Sequence, residues 1–310
     1  MCSSDLPDEV RKETLEWAVA FLRETDAEKV RIGAEVIGKL LEQNGFKPED
    51  VERYLKSLSD RYSQVNGGTE PGVRAYLLNA MAGLCAQRST CREQAIRSYN
   101  GLFEQALADK TEVVRQSAVH GLVNIDKHGA LRKLREGMIN DSSPTIRQEL
   151  IDLAGEVGGA QDLDWLVEKL GIAGDEGQRA WQAAVKIFQR LDLGILAGWA
   201  AKIESLGAAG KIAVEQRIAY CELVEQRAQS ENRADLLKGV QMNLARLYLG
   251  TSNLKLASES LRALLGLVTT EEERQWTQAQ LLGVYLGLAD VEQTRDLVFK
   301  CLQAKDLDLE

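Results

Sequence analysis

Asp109-Lys-Thr-Glu-Val-Val-Arg115-Gln-Ser-Ala118 and Asp141-Ser-Ser-Pro-Thr-Ile-Arg147-Gln-Glu-Leu150 can be laid over each other. Each has an acid, a short polar turn, a β-branched residue, an arginine and then an apolar pattern of helical period. Arg115 and Arg147 lie 32 residues apart, and Arg179, in Gly174-Asp-Glu-Gly-Gln-Arg179, follows after another 32. A fixed period of 20–50 residues is the mark of a stacked array, in which each unit buries its apolar face only against its neighbours.

Working outward, the same Val-Arg pair opens helical patterns at Val30-Arg31 and Val73-Arg74, so the arginine series reads 31, 74, 115, 147, 179. Around it the chain is helical throughout. Pro7 sits in a first turn before Leu15, Val19 and Leu22, and Thr25-Asp26 caps a helix carrying Val30, Ala34, Ile37 and Leu41. Gly45 stops that helix and Pro48 opens the next, with Val51, Leu55 and Leu58 on one face. Asn66-Gly-Gly-Thr-Glu-Pro71 is a turn. In the clearest unit, a helix through Leu131, Leu134 and Met138 reverses at Asn140–Pro144. A second helix then carries Ile146, Leu150, Leu153 and Val157 and stops at glycine.

This pattern resembles the HEAT repeat, most closely over 97–192 and in outline from about 24. The resemblance implies that Asp109 and Asp141 cap the inner helices. It further implies that Arg115 and Arg147 pack against acidic or carbonyl groups of a neighbouring repeat, forming a structural ladder. The third unit departs from the pattern, with Gln178 where Val or Ile is expected.

After Leu191 the pattern changes. Gly194, Gly198, Gly207 and Gly210 mark a small-residue helix and a connection, with a boundary near 208–212. Beyond it, Leu244-Ala-Arg-Leu-Tyr248-Leu-Gly250 precedes Ala257, Leu261 and Leu264. Leu281-Leu-Gly-Val-Tyr285-Leu-Gly287 precedes Thr294, Val298 and Cys301, 37 residues on. The order resembles a degenerate tetratricopeptide repeat, with Thr294 in place of alanine and Leu282 in place of a small residue. The expected fold is all-α. It is a right-handed superhelix of stacked hairpins, armadillo/HEAT-like over 7–210 and tetratricopeptide-like over 211–310. Met1-Cys-Ser-Ser-Asp-Leu6 matches the translation of a sequencing-adaptor end and is set aside as non-native, the rival reading being a capping segment before Pro7. The chain is accordingly expected to be a fragment of a longer protein.

The 310 residues are 45% hydrophobic and 27% charged, ordinary for a folded protein. A net charge of −9 lacks the basic footprint that duplex binding requires, so nucleic acid is not an expected partner. No run approaches the 18 apolar residues of a membrane span.

Chemistry-bearing motifs are also missing. The sequence has no GxGxxG, P-loop, HExxH or GxSxG pattern. Its 2 histidines, His120 within a helix and His128 in the turn Asp126-Lys-His-Gly129, have no serine, cysteine or carboxylate constellation beside them. His128 reads as a helix C-terminal cap. The acids Asp162/Asp164 and Glu271–Glu273 read as solvated helix faces, the latter a first turn behind a Thr270 cap. Trp165, Trp181 and Trp199 read as core or seam residues, with a groove anchor as the alternative. The 5 cysteines (2, 85, 91, 221 and 301) form no CxxC pair or zinc spacing. Cys85 and Cys91 flank a turn and read as buried helix-end residues, with a small disulfide loop as the alternative.

No catalytic, cofactor-binding or metal-ligating residue is therefore expected, and no cofactor. The expected function is non-enzymatic: binding of a protein partner on the array surface. Two rivals remain. One is a HEAT-like enzyme or nucleic-acid handler of the bilin-lyase or DNA-glycosylase kind. The other is an accessory segment of a larger envelope or signalling protein.

Overall fold

The computed structural model describes residues 7–41, 47–65, 70–86, 99–172 and 174–307. Among them the regular structure is helical, with no strand. The chain divides into two compact units, one ending at Gly158 and one beginning at Gly159. This division by contact is distinct from the change of repeat pattern near 208–212. Of the expected elements, Met1–Leu6, Gly45, the turn at 66–69 and Cys91 lie outside the described residues.

The first unit contains α1 (Asp8–Leu22), α2 (Ala27–Leu41), α3 (Pro48–Val65), α4 (Pro71–Ala86), α5 (Asn100–Ala106), α6 (Glu112–Ile125), α7 (Lys127–Gly137) and α8 (Pro144–Val157). The helices pair in sequence order, α1 with α2, α3 with α4, α5 with α6 and α7 with α8. The second members also pack on one another, α2 on α4, α4 on α6 and α6 on α8. These second helices open with the Val-Arg and Ile-Arg pairs. Their apolar stripes are buried: Val30, Ala34 and Ile37 on α2, Leu77, Leu78 and Met81 on α4, Val114, Ala118 and Leu122 on α6, and Ile146, Leu150 and Ala154 on α8. Burying a leucine or isoleucine in this way stabilises by about 1.5–3 kcal/mol relative to leaving it exposed.

One contact fixes how closely α5 and α6 approach. Phe103 is wholly buried, and its ring lies where a side chain at Gly121 would be, with Cε1 at 2.2 Å from an ideal Cβ.

The second unit begins with a 3₁₀ turn (Ala160–Asp162). It continues through α9 (Leu163–Lys169), α10 (Asp175–Phe188), α11 (Leu193–Gly198) and α12 (Ala200–Ala208), then α13 (Val214–Ser230), α14 (Ala234–Gly250), α15 (Leu254–Leu265), α16 (Glu271–Gly287) and α17 (Val291–Leu307). From α13 to α17 each helix packs on the next.

Three of the turns are built alike. Asn232, Ser252 and Ala289 have φ of 55°, 58° and 55°. The N–H after each donates back across the helix end: Arg233 N to Ala228 O at 2.8 Å, Asn253 N to Tyr248 O at 2.8 Å and Asp290 N to Tyr285 O at 2.9 Å. These are Schellman turns, which normally place glycine at the left-handed position. Asn253 and Asp290 then cap the following helices through Leu256 N and Gln293 N. Ser252 and Ala289 are 37 residues apart, the spacing of Tyr248 and Tyr285, whereas Asn232 precedes Ser252 by 20.

Two outcomes are expected from urea denaturation. Ala289→Gly and Ser252→Gly each raise stability by roughly 1 kcal/mol, because a left-handed L-residue costs about 1–2 kcal/mol and glycine returns part of that gain as unfolded-chain entropy. Gly121→Ala lowers stability by roughly 1–3 kcal/mol through overpacking against Phe103.

Candidate interaction surface

The arginine series forms a ladder in the first unit. On α6, Arg115 reaches forward to the turn before α8: Nε donates to Asp141 Oδ2 and Nη2 to Asp141 Oδ1, both at 2.8 Å. Its Nη1 donates to Asp109 O at 3.0 Å and Lys110 O at 3.2 Å, in the turn before its own helix. On α4, Arg74 makes the equivalent pair with Asp109, and on α8 Arg147 Nη1 donates to Asp141 O at 2.6 Å. Both ion pairs are buried, with side-chain exposures of 9% and 8% for Arg74–Asp109 and 10% and 8% for Arg115–Asp141.

The aspartates do not cap the inner helices directly, as the resemblance implied. Asp141 Oδ1 accepts from Ser143 N at 2.7 Å and Asp109 Oδ1 from Thr111 N at 2.8 Å, so each acid folds the turn two residues ahead. The cap of α8 is Ser143, whose Oγ accepts from Ile146 N. In the third unit the helix starts behind Gly174, which has no side chain to accept from it.

Electrostatics follow from this geometry. The Asp141 hydrogen bond raises the Arg115 pKa above its ordinary value. Burial alone would raise Asp141. The Arg115 and Ser143 hydrogen bonds, with the charges of Arg115 and Arg147, outweigh it and hold the carboxyl below its ordinary range. Arg31, first in the series, departs from the ladder. It bonds Glu28 and Glu35 on its own helix and lies over the Tyr76 ring of α4 at 5.3 Å.

With the arginines committed inward, the second helices present a different outward face. Tyr76 is 41% and Val113 44% exposed. Gln116 Nε2 donates to Glu149 Oε1 at 2.9 Å, and His120 Nε2 lies 3.1 Å from the same oxygen, joining α6 to α8. Glu149 Oε2 is buried without a hydrogen-bond partner. The Glu149 hydrogen bond raises the His120 pKa, burial opposing it. Glu149 is raised by burial and lowered more by the His120 and Gln116 bonds, for a net decrease. Among the described residues neither histidine is hydrogen-bonded to a serine or cysteine side chain, and the face presents an aromatic ring, an apolar residue and paired polar groups.

Several residues singled out in the sequence are placed otherwise than expected. His128 does not end a helix. Asp126, at φ −156° and ψ 101°, is the cap of α7 and accepts from His128 N, so His128 stands in a first turn. Asp162 is not on a solvated face: it is 1% exposed and Oδ2 accepts from Gly159 N at 2.9 Å, while Asp164 is exposed. Thr270 caps α16 through Glu273 N, and Glu273 pairs with Lys238. Trp165 is buried. Trp181, Trp199 and Tyr220 meet Phe188 edge-on at 6.5, 6.0 and 5.4 Å between ring centroids, a packed aromatic seam. Burial pushes the Cys221 thiol up to about 12, which keeps it protonated and unreactive. Cys85 is buried. Among the described residues no cluster of three His, Cys, Asp or Glu side chains is arranged to hold a metal, and no helix is long and apolar enough to cross a membrane.

Residues 99–186 match the family model described as HEAT repeats, and they contain Arg115, Arg147 and Arg179. This stretch is similar to HEAT repeats. No curated protein matches the sequence. A solved structure titled "Computational Design of Self-Assembling Cyclic Protein Homooligomers" aligns over 94% of this chain and 95% of its own at 14% identity, with a TM-score of 0.15. A score that low carries no structural argument.

Asp141→Ala leaves a buried guanidinium unpaired and costs about 3–5 kcal/mol, read as a lower urea midpoint for the first unit. The His120–Glu149 pair gives a second expectation. A raised histidine pKa contributes fully below the unfolded value of about 6.5 and fades as pH rises through the folded value. A lowered glutamate pKa contributes above about 4.3 and fades as pH falls through its folded value. The melting-temperature difference between wild type and His120→Gln is therefore largest near pH 5–6 and shrinks by pH 9. In an NMR titration, Glu149→Gln moves the His120 pKa down toward about 6.5.

Proposed function

We propose that this chain is a non-enzymatic protein-interaction scaffold that holds a partner on the outward face of α4, α6 and α8. The observation that supports this most is the division of labour on those helices. Buried arginine–aspartate pairs hold the turns, and the outward positions Tyr76, Val113 and His120 serve neither core nor ladder. An exposed aromatic residue among polar side chains is the composition of interaction surfaces. HEAT repeats in residues 99–186 supply the fold-level support, since such repeats generally mediate protein–protein contact. The paired Schellman turns 37 residues apart support reading 211–310 as tetratricopeptide-like hairpins that extend the scaffold.

The test uses the full chain immobilised in a lysate, with bound material identified by mass spectrometry after cross-linking. A stoichiometric protein cross-linked to α4 or α6, and lost on Val113→Glu while the melting temperature is unchanged, is the expected result. Recovery of nucleic acid or a small molecule without protein would reject the scaffold reading.

A further inference from the structure

The second unit holds a cavity of about 310 Å³ where α12, α13 and α14 meet. Its charged and polar lining comes from Glu204 on α12, Arg217 on α13, Asn243 and Arg246 one turn apart on α14, and Thr251 just beyond α14, whose hydroxyl is spent on the Leu247 and Tyr248 carbonyls; Val214 and Leu247 are apolar walls. Gly250 sits a further turn along and leaves the wall open.

The commitments of these groups differ. Arg217 Nη2 is paired with Glu204, so that acid is already neutralised. The pair is built in. A side chain at Gly207 would place Cβ 2.4 Å from Arg217 Cδ, so the arginine runs through the space that glycine leaves on α12. Arg217 Nε is buried with no hydrogen-bond partner. Arg246 has no carboxylate partner among the described residues, although acids outnumber bases 47 to 38 in the chain. It is held instead over the Trp276 ring of α16 at 5.9 Å. The Asn243 carboxamide has no hydrogen bond among the described residues. What remains uncommitted is one cation and one amide on consecutive turns of a single helix face, beside two aliphatic walls.

The geometry points to a binding site for an acidic side chain presented by a peptide segment of a protein partner. The carboxylate accepts from the Arg246 guanidinium and the Asn243 carboxamide, and its methylenes lie against Val214 and Leu247. A guanidinium offers a carboxylate a two-pronged donor edge, and stacking on an indole lowers the rotamer entropy lost on binding. The volume stands at the lower end of ligand sites, room for one or two residues rather than a cofactor. A single uncommitted cation suits a carboxylate monoanion better than a phosphate dianion. This inference rests on the protein-interaction reading and adds to it the chemistry of one contact.

The test is an NMR titration of the full chain, observing the Arg Nε–Hε and Asn Nδ2 signals. The probes are the blocked peptide acetyl-Ala-Glu-Glu-Leu-Ala-amide, its Gln-Gln counterpart, and inorganic phosphate. The expected result is saturable shifts of Arg246 and Asn243 with the acidic peptide, binding at least tenfold weaker for the Gln peptide, and loss in Arg246→Gln. Arg246 is exposed, so that variant keeps its circular dichroism spectrum, and Arg227→Gln, on α13 but outside the cavity, serves as the control that still binds. No saturable shift at millimolar peptide, equal binding of the Gln peptide, undiminished binding by folded Arg246→Gln, or equal shifts from phosphate alone each overturn the proposal. Because the probe is a defined peptide, such a result removes this site and leaves the lysate capture on α4 and α6 to stand or fall separately.

Discussion

The first unit depends on the bidentate contact between Arg115 and Asp141. Both side chains are about nine-tenths buried, and both also hold backbone. The arginine donates to two carbonyls of the turn before it, and the aspartate folds the turn after it. One ion pair therefore ties two consecutive interhelical turns together. A buried pair gains little over a well-packed apolar pair, but losing one partner strands a charge in a medium of low dielectric constant. The ladder thus fixes spacing between repeats more than it adds stability. An arginine can satisfy its donors only when the next acid and its own turn sit at one separation.

That arrangement decides what is left for function. Cations drawn inward cannot serve as a basic surface, and in a chain of net charge −9 this leaves the outer face of α4, α6 and α8 to neutral, aromatic and paired polar groups. Where a charge cluster does reach that face, as at Gln116, His120 and Glu149, it is closed by its own hydrogen bonds. The second unit works differently. Its hairpins are joined by Schellman turns and an aromatic seam about Phe188, and its arginines at 217 and 246 are spaced around a cavity rather than along a ladder.

Legibility followed the range of the interaction. The 32-residue recurrence of acid, turn and arginine was visible because both ends of each rung recur in the chain, and Asp109, Asp141, Arg115 and Arg147 are all in the ladder. Arg74 belongs to it too, through an acid 35 residues away. Arg31 carries the same local signature yet lies over Tyr76, since signature alone does not say what the next turn offers. His128 is ambiguous in sequence because Asp126 could end one helix or begin another; it does both, and its side chain caps the second helix, which puts His128 in a first turn. Asp162 resembles any surface acid, and only the close return of Gly159 N marks it as buried. Neither the Gln116–Glu149 bridge nor the Arg217–Gly207 passage has a local signal.

Local pattern is enough to establish that the chain is helical, where most helices start and stop, which stripe of each faces inward, and that arginine and then tyrosine positions recur at 32 and 37 residues. These are consequences of short-range hydrogen bonding and of a 3.6-residue period, both written within a few turns of chain. Tertiary structure alone decided which acid each arginine meets, and that asparagine, serine and alanine, rather than glycine, take the left-handed position in three of the turns. It also decided that Asn243 and Arg246 open onto a cavity with their polar groups unspent. Each of these depends on the separation of atoms far apart in sequence, which packing sets and no local pattern encodes.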